Sequence, residues 1–260
     1  MRLDAALVER GLATGRDAAK ALIAAGEVYV DGKSVKKPSA TLAETAQVEV
    51  RSEAQRYVSR GGLKLEHALK AFDVDPTGLV CFDCGASTGG FTDCLLQHGA
   101  AKVYAIDVGT NQLAPSLRND ARVVSHEGVN AREIPRSLFD EPPQLATVDV
   151  SFISLALVLP AIRGVLAESG EVVALIKPQF EAGRGNIGKR GIVKDAKTHR
   201  EVLNDIVAVA QSLGFAVCGL THSPIRIKDG NIEFLAYLSI EKKAAEIDVR
   251  RVVETSHKEL

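Results

Sequence analysis

The chain has 260 residues, a hydrophobic fraction of 46% and a formal net charge of -1. That length suits one large domain or a small module joined to a medium one, and the apolar content argues against disorder. The near-neutral charge excludes a polycation, so any contact with nucleic acid has to come from locally grouped basic residues. Cys81, Cys84, Cys94 and Cys218 do not make a disulfide scaffold in a chain of this size. The opening MRLDAALVERG lacks the apolar core of a signal peptide. The most apolar run, Ile153 to Ile162, is too short to span a bilayer and contains Pro160. The expectation is a cytoplasmic protein with no membrane association.

Leu3, Leu7 and Val8 at helical spacing predict a first helix. Asp17 opens a second, with Ala18, Leu22 and Ile23 as its apolar stripe and Gly26 placed to stop it. Asp31-Gly32 between the short runs Val28–Val30 and Lys33–Val35 predicts a hairpin with a type I′ turn. A further strand is expected at Gln47 to Val50. These elements form a small α+β module over residues 1–52, with a polar linker at 53–61.

Residues 62–260 have a different texture. Leu63, Leu65, Ala68, Leu69 and Phe72 predict a helix. Strand-like runs then alternate with helices: Leu79–Asp83, Val103–Asp107, Arg122–Ser125, Leu145–Val150, Glu171–Ile176, Ala216–Thr221 and Ile232–Ser239. This alternation predicts an α/β domain on a mostly parallel, Rossmann-like sheet with helices on both faces. The close spacing of the last two runs suggests an antiparallel hairpin at one edge, and a charged helix follows Lys242.

The segment RLDAALVERGLATGRDAAKALIAAGEVYVDGKSV closely resembles the S4 RNA-binding domain over roughly the first fifty residues. The family usually has Ser before the arginine, whereas this chain has Gly15, which removes a possible helix cap but leaves Arg16 in place. Arg2, Arg16, Lys20, Lys33, Lys36 and Lys37 are the cations available to RNA phosphates. Such modules read helical shape and backbone rather than base sequence. Taken singly, each is equally an ordinary surface charge.

Asp83-Cys84-Gly85-Ala86-Ser87-Thr88-Gly89-Gly90-Phe91 follows the first long strand and opens a helix. Small residues let a backbone approach a ligand closely, and the helix amino terminus presents free amides. Asp107, ending the next strand, can accept both ribose hydroxyls of a nucleoside. A hydride-transfer fingerprint would read G-x-G-x-x-G; here an acid leads the loop, which suits the cationic ligand S-adenosylmethionine (SAM) better than a pyrophosphate. The run resembles the first motif of SAM methyltransferases, especially ribose methyltransferases acting on ribosomal RNA. Asp83, Gly85, Ser87, Thr88, Gly89, Gly90, Phe91 and Asp107 are therefore the candidate cofactor residues, with Asn130 a candidate contact to adenine. Cys81-x-x-Cys84 has no second ligand pair, so no metal is expected.

Four further motifs complete the pattern: RYVSRGGLKL at 56–65, DVSFIS at 149–154, KPQFE at 177–181 and GNIEF at 230–234. They resemble the TlyA family, also called hemolysin A, across essentially the whole chain. The resemblance implies an S4 domain followed by an FtsJ-like methyltransferase domain. It also implies 2′-O-methylation of a cytidine in 16S or 23S ribosomal RNA within ribosomal subunits, and a catalytic set of Lys64, Asp149, Lys177 and Glu233. The residues fit that chemistry. Asp149 and Lys177 close apolar strands, at the edge where open α/β sheets place their sites. Lys64 begins a helix after two glycines, and a lone carboxylate at Glu233 in an apolar strand needs a partner. Lys177 is the expected base, a role that requires a lysine depressed from its usual ~10.4. Arg60 beside this set, and Arg184, Lys189 and Arg190 in a glycine-rich basic stretch, are further candidates for gripping RNA. The competing readings are an RNA-binding protein with an inactive methyltransferase-like domain, a hemolysin and a nicotinamide-dependent dehydrogenase.

Overall fold

A computed structural model of the chain describes residues 1–13, 15–43, 45–50, 56–183, 185, 187–188, 191–225 and 230–260. It divides into two compact units, 1–56 and 57–260.

In the first unit, α1 (Leu3–Glu9) and α2 (Arg16–Ala25) precede β1 (Val28–Val30), β2 (Lys33–Ser34) and β3 (Val48–Val50). The strands pair antiparallel in the order β2-β1-β3. Leu3, Ala6 and Leu7 from α1 meet Ala19 and Ile23 from α2 and Val28 from β1 in a small core. Gly26 ends α2 at φ 79°, a left-handed conformation that glycine adopts without steric penalty. Asp31 and Gly32, at φ 49° and 78°, both take the positive values that a type I′ turn needs.

The second unit opens with α3 (Gly61–Phe72), followed by β4 (Val80–Cys84), α4 (Gly90–Gln97), β5 (Lys102–Asp107), α5 (Pro115–Arg118), β6 (Val123–Glu127) and β7 (Leu145–Val148). After these come α6 (Leu155–Val165), β8 (Glu171–Ile176), α7 (Pro178–Glu181), α8 (Ala196–Ser212), β9 (Ala216–His222), β10 (Phe234–Ser239) and α9 (Val249–Glu259). Among the described residues the sheet has seven strands in the order β6-β5-β4-β7-β8-β10-β9. Strands β4 to β8 run parallel, and β10 runs antiparallel to both of its neighbours.

The chain builds outward from β4 to β6, then returns to place β7 on the other side of β4. The crevice beyond the carboxyl ends of β4 and β7 is therefore the topological switch point where open sheets bind ligands. The central strands β4, β7, β8 and β10 are almost wholly buried on both faces, as expected for a sheet covered by helices. Alternation divides the side chains. Val80, Phe82 and Cys84 join the core with α6 and α8, while Cys81 faces the other core with α3 and α4. By the same parity, Asp83 points toward α4.

Three of the boundaries that differ from the sequence reading bear on the site. Tyr57 to Gly61, expected as linker, belong to the second unit. The Tyr57 ring is buried so closely over Gly62 that a Cβ there would stand 2.2 Å from it. Strand β7 stops at Val148, so Asp149 lies just past it, and β10 begins at Phe234, so Glu233 lies just before it. The charged tail folds as α9, anchored by the fully buried Val253.

Candidate active site

The loop after β4 is built to approach its neighbours closely. Gly85 N and Ala86 N both donate to Ile106 O on β5. Gly85 adopts φ 87°, and a Cβ there would stand 2.5 Å from the Asp149 carbonyl oxygen. Gly90 is similarly required, because its Cβ would meet Ser59 Oγ at 2.2 Å. At the end of β5, Asp107 accepts hydrogen bonds from Ser87 N at 2.8 Å and Gly109 N at 2.7 Å. A carboxylate offers about four acceptor positions, so this one keeps capacity for ligand hydroxyls while it fixes both adjoining loops.

Lys64, Asp149, Lys177 and Glu233 converge from four elements. Lys64 Nζ, in the first turn of α3, donates to Glu233 Oε2 at 2.5 Å. Lys177 Nζ, beyond β8, lies 2.5 Å from Asp149 Oδ1, an ion pair whose angles are not those of a hydrogen bond. The same ammonium donates to Ser151 Oγ at 2.9 Å. Burial raises the Glu233 carboxyl above its ordinary range, opposed by the charges of Lys64 and Lys177.

Two cavities open beside this set. One, of about 360 Å³, is walled by Arg60, Lys64, Asp149, Ser151 and Lys177 together with Gly85, Ser87, Thr88, Gly90 and Phe91. The other, of about 420 Å³, has Asp107, Gln112 and Asn130 among its polar groups, set beside Ile106, Val108, Val129, Val150 and Ile153. Gly85, Ser87, Asp149 and Ser151 border both, so the two lie side by side. The more apolar cavity, lined by Asp107 and bordered by Asp149, suits a nucleoside, and the polar one with fixed cations and anions suits the reacting groups.

Two candidate cofactor residues stand off the walls. Asp83 is fully buried and accepts from Thr92 N, Thr92 Oγ1 and Thr147 Oγ1 at 2.9, 2.8 and 3.1 Å. Burial pushes its carboxyl up to about 7. Its place is to clamp the start of α4 and β7 from inside, because strand parity turns it away from the crevice. Gly89 is buried against Leu113 and Leu117. Cys81 and Cys84 face opposite cores, and burial pushes the Cys81 thiol up to about 12.

The RNA candidates divide between the two units. In the first unit Arg2 is engaged with the buried Asp4 through Nε and Nη2 at 3.0 and 2.9 Å, and Lys20 reaches Asp17 at 3.2 Å. Lys36 packs its chain over Gly26, while Arg16, Lys33 and Lys37 are exposed. Arg60 borders the polar cavity, and Arg184, Lys189 and Arg190 lie outside the described residues. The sequence reading passed over Ser151 and Phe152. Phe152 is 92% exposed at φ 65° and its ring meets Phe180 at 5.0 Å. The signal available was an aromatic residue directly after a catalytic strand end; its left-handed backbone has no sequence signature.

The seven-stranded sheet, with its crevice at the switch point, has the fold of S-adenosylmethionine-dependent methyltransferases. The FtsJ-like methyltransferase family matches residues 57–240 and the S4 domain family matches residues 1–48. YqxC of Bacillus subtilis is 48% identical over 100% of this chain and 95% of its own length. The 16S/23S rRNA (cytidine-2'-O)-methyltransferase TlyA of Mycobacterium tuberculosis is 44% identical over 94% of this chain and 91% of its own. A solved structure from Streptococcus thermophilus, of a protein called a hemolysin, has a TM-score of 0.79 at 45% identity and covers 100% of this chain and 96% of that one. The chain belongs to the TlyA, or hemolysin A, family of FtsJ-like methyltransferases with an S4 domain.

Proposed function

We propose that this protein transfers a methyl group from S-adenosylmethionine to the ribose 2′-hydroxyl of a cytidine in ribosomal RNA, recognising the RNA within a ribosomal subunit through its amino-terminal module. The observation that carries this reading is the convergence of Lys64, Asp149, Lys177 and Glu233 beside a cavity that adjoins the one holding Asp107. The reaction named for the Mycobacterium tuberculosis relative supports the substrate. An inactive methyltransferase-like domain would not need to maintain two lysine–carboxylate pairs, each with one buried partner and each costly to desolvate. Work on ribosomal RNA makes the cytoplasm its location; no helix among the described residues is long and apolar enough to cross a membrane.

Asp107 would hold the cofactor ribose, Asn130 the adenine, and the Gly85–Phe91 loop the remainder. When bound, the cofactor supplies an electrophilic methyl group on a sulfonium. The protein's own residues then supply position and a proton acceptor, the two contributions an in-line displacement at a weak nucleophile needs. Lys177, in its neutral amine form, accepts the proton of the 2′-hydroxyl and becomes an ammonium, which returns that proton to solvent before the next turnover. Asp149 and Glu233 stabilise the charge it acquires. Lys64, fixed by Glu233, orients the hydroxyl oxygen by donating to it. Phe152 offers an exposed ring on which an unstacked base can lie.

The test is single-turnover transfer of tritiated methyl from S-adenosylmethionine to unmodified small and large ribosomal subunits, wild type against Lys177→Ala. Label on one or both subunits that is lost in the variant, with cofactor affinity kept, is the expected result. Full transfer by Lys177→Ala would remove the base, and no transfer by wild type with cofactor bound would remove the substrate.

A further inference from the structure

Lys177 is held on two sides. Its Nζ lies 2.5 Å from Asp149 Oδ1 and donates to Ser151 Oγ at 2.9 Å, and only 10% of its side chain is exposed. A tetrahedral nitrogen has three directions beyond its carbon. The Ser151 hydroxyl takes one of them, and the Asp149 carboxylate crowds the nitrogen from another side, which narrows the approach left for a substrate atom. Ser151 is well placed to set that approach, because it borders both cavities at their junction.

The loop carrying Ser151 is fastened independently of this contact. Phe152, next in sequence, sits at φ 65°, a conformation that is strained for a bulky side chain and persists only where the surroundings enforce it. The enforcement comes from the segment that begins with Lys177 itself. The Phe180 ring meets the Phe152 ring at 5.0 Å. Glu181 accepts from Ser154 Oγ at 2.5 Å and Leu155 N at 2.9 Å, capping the start of α6. Residues 149–155 and 177–181 are thus joined at three successive points: the Lys177 contacts, the ring pair and the Glu181 cap. The strained turn brings Ser151 Oγ to Lys177.

We propose that Ser151 is a positioning residue for methyl transfer, fixing the orientation of Lys177 Nζ so that a free direction of the nitrogen faces the acceptor hydroxyl. This rests on the reading of Lys177 as the base. Ser151 needs no proton exchange for this role; its oxygen accepts, and its own hydrogen stays available to the cleft. A misplacement of about 1 Å at a reacting group can lower a rate about 10²-fold, so the expected loss lies in kcat rather than in binding.

The experiment compares wild type, Ser151→Ala, Ser151→Thr and Lys177→Ala in single-turnover and steady-state methyl transfer to ribosomal subunits, with cofactor affinity by calorimetry. The expected result is a kcat lowered about 10- to 100-fold in Ser151→Ala, with KM for RNA and cofactor affinity within about 3-fold of wild type. Ser151→Thr, which keeps the hydroxyl, should recover most of the rate. Wild-type kcat in Ser151→Ala, beside an inactive Lys177→Ala, would overturn the proposal and leave the base assignment standing. A loss confined to KM, or no recovery in Ser151→Thr, would also overturn it. An active Lys177→Ala would instead remove the reading on which it rests.

Discussion

Lys64 Nζ and Glu233 Oε2 lie 2.5 Å apart across 169 positions of sequence, fastening the first turn of α3 to the entry of β10. Only 14% and 2% of the two side chains are exposed, so each charge depends on the other. Glu233→Ala should destabilise the second unit by about 3 kcal/mol, because removing one partner strands a buried charge. The double variant Lys64→Met with Glu233→Leu should recover most of that stability without recovering methyl transfer. Urea denaturation of the three proteins measures this, and a double variant no more stable than the single one would show that the pair is not coupled.

Asp107 carries a second prediction. It ties Ser87 N and Gly109 N while facing the apolar cavity. Asp107→Ala should reduce affinity for S-adenosylmethionine below detection by calorimetry. Asp107→Asn, which keeps one acceptor oxygen, should retain weak binding. Unchanged affinity in Asp107→Ala would take this residue out of the cofactor site.

Two buried groups make opposite predictions for stability against pH. Burial holds the Asp83 carboxyl at about 7 in the folded protein, against an ordinary value of 3.8. Between those values the folded state binds more protons than the unfolded, so this contribution to stability falls as pH rises toward 7. His199, fully buried with Nδ1 2.9 Å from His257 Nε2, is pushed down to about 4 by burial and then by His257, from an ordinary 6.5. Here the unfolded state binds more protons, so stability is present above 6.5 and is lost as pH falls toward 4. The wild-type curve is therefore flatter than either contribution alone. Relative to wild type, Asp83→Asn should gain stability as pH rises from 4 to 7, and His199→Gln should lose it. Melting temperatures across that range test both, and parallel curves for all three proteins would contradict both assignments.

The amino-terminal unit supplies a fourth. Residues 1–56 have their own core of Leu3, Leu7, Ile23 and Val28. A chain of residues 57–260 should bind S-adenosylmethionine with wild-type affinity and fail to methylate ribosomal RNA. Full methylation by the shortened chain would make the module dispensable.

Much of this was legible in the sequence because the informative residues sit where local rules are strong. Asp31-Gly32 announces its turn through the dihedrals it permits, and Asp107 is marked by the apolar run it closes. Lys64, Asp149, Lys177 and Glu233 could be picked out by motif. That Lys64 pairs with Glu233 while Lys177 pairs with Asp149 could not, because the pairing depends on β10 inserting between β8 and β9. Asp83 misled for a related reason. Its place at the head of a glycine-rich loop suggests a ligand, but strand parity turns it inward onto Thr92 and Thr147. Tyr57 read as linker because neighbouring residues are polar, and its burial depends on a contact with Gly62 that local composition does not encode. Ser151 and Glu181 act through partners 26 or 27 positions away, beyond any local pattern.

The most direct test of the central claim is the chemical identity of the product. Ribosomal subunits methylated by the wild-type protein with labelled S-adenosylmethionine would be digested to nucleosides and separated by chromatography with mass detection. Label should appear in 2′-O-methylcytidine alone, and not with the Lys177→Ala variant. Label on a nucleobase, on a ribose other than that of cytidine, or in undiminished amount with Lys177→Ala would contradict the account.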